Sequence, residues 1–359
     1  EIRLSLVGSE MCIRDRKIIK AAVDRGATDL HIKAGDVFRA RVNGRLVPLT
    51  KQRLTPDQTR AIASRLMSSE RDRSRLDELR DFDCSWGMSG VGRFRVNILR
   101  QRSSYMIVLR VLPFTLPSLE TLNLPEVIGQ IAESPKGLIL VTGVSGSGKT
   151  STIAAMVHHI NQNQARHIIT IEDPIEILHR DLSSTITQRE VGVDTDSATV
   201  GLRAALRQDP DVIFVSDLSD PVAMDTAIKA SEAGHLVIAA MATPDVTTTI
   251  RQVLATLPRE ELEIGRVRFS EALRAIISLQ LLPPAEGESR VPAVEILVAS
   301  DEVRSALKEP GDLEVLRKLM LKGGASGMTT FAKSVQELAS AGSISAETAK
   351  AVTRDSRGN

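Results

Sequence analysis

The stretch "GVSGSGKT", residues 143–150, constrains what this chain can fold into more than any other. It fits G-x-x-x-x-G-K-[ST], follows the apolar run "GLILVT" and opens the helical run "STIAAMVHHI". A strand, a glycine-rich turn and a helix in that order make a phosphate-binding loop. The glycines let the backbone curl so that several N–H groups point at one anion, and the helix N-terminus adds partial positive charge. Lys149 is placed to reach the β- and γ-phosphates of a nucleotide, and the Thr150 hydroxyl to sit on Mg²⁺. The candidate nucleotide-binding residues are therefore Gly143, Ser145, Gly146, Ser147, Gly148, Lys149, Thr150 and Ser151. The ligands they imply are ATP and Mg²⁺.

Such a loop needs an α/β sheet behind it. "GLILVT", "HIITIE", "DVIFVS" and "HLVIAAM" are apolar on both faces, as buried parallel strands are. They alternate with helical patterns, which predicts a mostly parallel sheet covered by helices over residues 121–300. Ligands bind outside the carboxyl ends of such strands. Glu172 and Asp173 in "TIEDPIE", and Asp217 in "DPDVIFVSDLSD", are thus expected beside the nucleotide. Asp217 and Asp173 join Thr150 as candidate metal ligands. The competing reading of the Glu172–Asp173 pair is a solvated turn before Pro174.

Residues 17–112 read as a smaller α/β domain. A helix, "KIIKAAVDRGA", ends at Gly26, and "TDLHIK" alternates like a strand. Asn43-Gly44 marks a hairpin. Thr55 and Pro56 open a second helix. "GRFRVNILRQ" and "SYMIVLRVL" are two further strands. Residues 113–120 form a proline-punctuated linker, and residues 301–359 are helical in pattern. Residues 1–16, "EIRLSLVGSEMCIRDR", lack the apolar core and cleavage site of a signal peptide. They resemble translated sequencing-adapter read-through, the alternative being a short native arm; if they are foreign, Cys84 is the one native cysteine.

Composition narrows the partners. A formal net charge of +1, with one Trp and one Tyr, offers little to nucleic acid. Two cysteines supply neither a disulfide framework nor paired CxxC motifs, and fit a reducing compartment. No apolar run approaches the ~20 residues that span a bilayer.

"VTGVSGSGKTST", "HIITIEDPIEILH", "LRAALRQDPDVIFV" and "ASEAGHLVI" resemble the type IV pilus twitching-motility ATPases of the secretion ATPase superfamily. "TDLHIKAG" and "GRFRVNILRQR" resemble that family's N-terminal domain. The resemblance implies an α/β chain with a RecA-like P-loop ATPase core, a PAS-like N-terminal domain and a helical C-terminal module. It implies a homohexameric ring in the cytoplasm, docked on the inner-membrane platform protein of a pilus machine, and pilus retraction as the output. It assigns Glu172 as the first catalytic carboxylate and Asp217, with Lys149, to the hydrolytic site. It also brings His235 to the nucleotide, and offers Arg93, Arg95, Arg102 and Arg110 as arginines that neutralise phosphate. Such an arginine is worth ~10³–10⁵ in rate in other phosphate-loop enzymes.

The chain departs from the family at the same place. The family's Walker B glutamate is here Asp217, shorter by one bond, ~1.5 Å. The arginine after it falls at Ser219, and the second histidine of "GHLVFGTLHT" has become Ala242. The helix "AIRNLIRE" appears as "EVRSALKE", with Arg304 and Glu309 kept. A ~1 Å misplacement costs about 10²-fold in rate, so binding is expected to be intact and hydrolysis weakened. Two other readings stay open. One is an ATP-binding accessory subunit acting through an active paralogue. The other, which the composition disfavours, is a DNA-handling ATPase of conjugation type.

Overall fold

A computed structural model describes residues 15–355 apart from 68, 89, 113–115, 258, 288 and 312. Residues 1–14 and the start of the expected linker therefore lie outside the described residues. The chain divides into two compact units. The first runs to Thr115 and takes in Pro174–Leu178; the second comprises Leu116–Asp173 and His179 onward.

The first unit contains helix α1 (15–23), strands β1 (Ala27–Lys33), β2 (Arg39–Val42) and β3 (Arg45–Pro48), helices α2 (Pro56–Leu66) and α3 (Glu70–Ser74), and strands β4 (Asp81–Met88), β5 (Gly92–Gln101) and β6 (Ser104–Leu112). The strands form one antiparallel sheet in the order β3-β2-β1-β6-β5-β4. Asn43 (φ 49°) and Gly44 (φ 75°) make the β2–β3 turn, the left-handed pair that a two-residue hairpin demands. Thr55 and Gln58 cap α2 reciprocally. Alternate residues of β5 and β6, among them Phe94, Val96, Ile107 and Leu109, bury one sheet face in a core that Ile19 and Ala22 of α1 also enter. Asp15 and Arg16 already belong to α1. The sequence reading gives no strand at β4, although Phe82, Cys84, Trp86 and Met88 of "DFDCSWGM" alternate with polar residues or glycine as in a half-buried strand.

The second unit contains α4 (Val127–Ala132), β7 (Gly137–Thr142), α5 (Lys149–Asn163), β8 (His167–Glu172), β9 (Thr185–Glu190), α6 (Ala198–Ala205), β10 (Val212–Val215), α7 (Pro221–Glu232), β11 (Leu236–Met241), α8 (Val246–Thr256), α9 (Leu262–Ala272), β12 (Leu273–Leu282), β13 (Val291–Val298), α10 (Asp301–Lys308), α11 (Glu314–Lys322), α12 (Phe331–Ser340) and α13 (Ala346–Asp355). Its sheet runs β13-β12-β7-β11-β10-β8-β9, parallel throughout except for the β12–β13 pair. Both faces are buried: Leu138 and Leu140 of β7 enter one core, Ile139 and Val141 the other. This is the expected α/β arrangement. Val303, Leu307, Leu316 and Met320 of α10 and α11 enter the same core as Leu138.

One buried side chain ties α5 to the segment after β8. Asn161 is fully buried; its Nδ2 donates to Arg180 O at 2.7 Å and its Oδ1 accepts from Leu182 N–H at 3.1 Å. Asn161→Ala leaves both backbone groups without that partner. It should cost about 2 kcal/mol of local stability, seen as faster amide hydrogen exchange at Leu182 than in the native protein.

Candidate nucleotide site

β7 ends at Thr142, whose hydroxyl shares a 2.7 Å hydrogen bond with Ser278 of its neighbour β12. The chain then turns at Gly143 with φ 146°, where a Cβ would lie 2.3 Å from Ser147 Oγ and 2.6 Å from Leu279 O. No other residue fits that corner. Gly146 (φ 76°) and Gly148 (φ 97°) complete a curl that only glycine adopts without strain. Gly148 is the N-cap of α5 and brings no capping side chain. The first-turn N–H groups of Lys149, Thr150 and Ser151 therefore have no intrahelical partner and favour an anion.

Two polar groups in this loop are poised for a ligand. Ser147 Oγ is buried with no hydrogen-bond partner among the described residues. Lys149 Nζ folds onto the loop's own carbonyls, donating to Gly143 O at 2.7 Å and Val144 O at 3.1 Å. Burial lowers the Lys149 pKa below its ordinary value, while the charge of Asp217 pulls the other way. Ser145 is exposed.

The parallel register brings the ends of β8, β10 and β11 to the same edge as this loop. Glu172 closes β8. It is 5% exposed, and its Oε1 accepts from Thr170 Oγ1 at 2.6 Å and Gln188 Nε2 at 2.9 Å. Glu190, its register partner on β9, is buried too. Asp173 is exposed, and its backbone N–H donates to Ser216 Oγ at 3.0 Å. The acids around β10 sort into separate roles. Asp211 accepts the His167 N–H at the far edge of the sheet. Asp220 caps α7 and accepts from Thr199 Oγ1. Asp217 is exposed at the loop edge and accepts from Ser219 Oγ at 2.6 Å. Among the described residues no group of three or more His, Cys, Asp or Glu is arranged to hold a metal. A metal at this edge would need a nucleotide's own oxygens.

A family model described as "Type II/IV secretion system protein" matches residues 8–339. The chain belongs to that family. It is 35% identical over 337 residues to the type IV pilus ATPase PilU of Pseudomonas aeruginosa, covering 93% of this chain and 87% of the relative. It is 35% identical over 334 residues to the retraction ATPase PilT of the same organism, covering 93% and 96%. Among solved structures, the pilus retraction motor PilT with bound ADP superposes with a TM-score of 0.84 at 40% identity, covering 93% of this chain and 95% of that one.

Other residues that the secretion-family resemblance singles out are scattered. His235 is a correction. It precedes β11, whose Leu236 pairs with Gly137 at the start of β7, so it stands at the amino edge of the sheet. The loop lies about 20 Å away, beyond the six-residue length of β7. His235 Nδ1 instead meets Pro210 O at 2.7 Å, tying two strand entries together. Ala242, exposed just after β11, is the position that faces the nucleotide edge.

In the first unit, Arg93, Arg95 and Arg110 share the sheet face opposite the core, with Arg95 and Arg110 in register. Arg93 Nε donates to Ile175 O at 3.1 Å and its Nη2 to Ser85 Oγ at 2.7 Å. Arg110 pairs with Asp29 at 3.1 Å, and Arg95 lies 3.9 Å from Asp83. Arg102 (φ 48°) sits in the β5–β6 turn, about 30 Å along the strand from Arg93. The four arginines thus do not form one cluster in one subunit. Arg304 of α10 donates to Ser270 O and Glu271 O, at 2.6 and 2.8 Å, and so caps the end of α9.

Gly143→Ala should abolish measurable nucleotide binding in calorimetry, while Gly146→Ala, where a Cβ meets nothing within 4 Å, should be milder. The difference reflects both the close approach and the backbone, because φ 146° at Gly143 lies farther from the left-handed region than φ 76° at Gly146.

Proposed function

We propose that the chain is an ATP-binding motor ATPase of the type IV pilus, driving retraction and twitching motility. The observation that carries this is the complete loop from Gly143 to Thr150, with an uncapped helix start and Lys149, in a chain that shares 93% of its length with a pilus ATPase relative. We further propose that it works as a homo-oligomeric ring, a hexamer, against an inner-membrane platform protein on the cytoplasmic side. Among the described residues no helix is long and apolar enough to cross a membrane, which is compatible with that placement.

The residues present fit the nucleotide. The orphaned Ser147 Oγ gains a phosphate oxygen as partner, and the Gly143 corner leaves the loop amides converging. Lys149 exchanges two loop carbonyls for the β- and γ-phosphates. Thr150 and Asp217, with Asp173 nearby, would hold Mg²⁺, which takes one or two protein oxygens and fills its shell with phosphate and water. The metal supplies charge neutralisation on the phosphates when bound. Glu172 is the group that orients and deprotonates the attacking water. Arg93, Arg95 and Arg110 are the candidates for neutralising γ-phosphate charge.

Hydrolysis is slow in this reading. Asp217 is exposed, engaged by Ser219, and ~1.5 Å short of a glutamate. Ala242 removes a γ-phosphate contact. These same three positions favour the second reading, an ATP-binding accessory subunit that works through an active paralogue.

Three measurements separate these readings. Lys149→Ala should eliminate ATP binding in calorimetry; unchanged affinity would sink the site assignment. Asp217→Glu should raise steady-state phosphate release by about tenfold, and Ala242→His should add to it only in the Asp217→Glu background. Phosphate release at background in the native protein, with no gain in either repair, selects the accessory subunit. Mass photometry with an ATP analogue should give a ring-sized oligomer; a strict monomer at micromolar concentration would count against both.

A further inference from the structure

We infer that Gln188 is a positioning residue which, together with Thr170, fixes the Glu172 carboxylate for its work on the attacking water. The inference rests on the reading of Glu172 given above. β8 and β9 run parallel with Thr170 opposite Gln188. Residues two apart on a strand project from the same face, so Thr170, Glu172 and Gln188 converge. Both neighbours bond to the same oxygen: Thr170 Oγ1 and Gln188 Nε2 donate to Glu172 Oε1 at 2.6 and 2.9 Å.

The orientation of the Gln188 amide is not a matter of choice. Its two ends are alike in shape but opposite in hydrogen-bond sense. Gln188 Oε1 accepts the backbone N–H of His179 at 2.9 Å, and a backbone N–H can only donate. The NH₂ end is therefore committed to the carboxylate. Thr170 is 1% exposed and has no room to turn away. A buried carboxylate held at one oxygen by two fixed donors is pre-set in direction, which is what a group that must meet a water at one angle requires. Removing either donor takes away a hydrogen bond that a buried charge needs, and loosens the direction in which Oε1 is held.

The test compares Gln188→Met, Thr170→Val, Thr170→Ser, Glu172→Gln and the double variant Glu172→Gln/Gln188→Met with the native protein. Steady-state phosphate release is divided by the number of ATP-binding sites counted by calorimetry. Gln188→Met and Thr170→Val should each lower kcat per site about tenfold, with KM and ATP affinity within about twofold. Thr170→Ser keeps the hydroxyl and should keep native kcat. In the Glu172→Gln background, Gln188→Met should cost nothing further, since it acts through the group already removed. A purely structural role would reduce the count of binding sites and leave kcat per site unchanged. Native kcat in Gln188→Met, or an equal loss in both backgrounds, overturns the inference. Native kcat in Glu172→Gln overturns the reading of Glu172 itself, and the inference with it.

Discussion

At Gly143 the chain leaves β7 with no space for a side chain, and the rest of the site follows from that corner. The turn is walled by the Leu279 carbonyl of β12 and by the Ser147 side chain, so loop and sheet meet at van der Waals distance there. The cost is borne at the next element. α5 starts without the serine, threonine or aspartate cap that other helices of this chain possess, such as Asp220 on α7 or Asp245 on α8. With glycine at the cap that omission costs only a few tenths of a kcal/mol. Its first-turn amides are left for an anion.

The two strand-end carboxylates are supported very differently. Glu172 is buried, with Thr170 and Gln188 on one oxygen. Asp217 is exposed and accepts from the Ser219 hydroxyl, two residues on in the same loop. A hydroxyl from an exposed residue of the same loop orients a carboxylate less firmly than donors from two strands. The departures from the family pattern fall on the less supported of the pair. Substitution there disturbs little packing, which explains how a chain can change this strand-end acid and keep its fold.

Strands β5, β6, β7, β8, β10 and β11 stand where alternation or continuous hydrophobicity puts them. The equally apolar β12 and β13 were not read as strands, since a short apolar run does not by itself distinguish strand from buried helix. β9 was not legible, because "TITQRE" is a polar strand whose identity depends on its neighbours, and β4 was missed although its apolar residues alternate. Gln188 was hidden with β9, since nothing in the sequence joins it to Glu172 until the two strands pair. His235 failed for the opposite reason. A shared motif drew it to the nucleotide, and only the strand register shows that "GHLV" enters the sheet at its far edge. The loop itself needed neither pairing nor register, being a local rule about glycine and helix starts.

The division of the chain into two units carries a topological consequence. Pro174–Leu178 is counted with the first unit, where Ile175 O receives the Arg93 guanidinium, yet the chain on both sides of it belongs to the second. Five residues reach at most about 18 Å when fully extended. The strap leaves immediately after Glu172–Asp173 and returns at His179, whose N–H holds Gln188. Both ends of one short tether thus terminate on the same carboxylate, one through the main chain and one through an amide. That carboxylate is the point at which the strap both leaves the second unit's sheet and rejoins it.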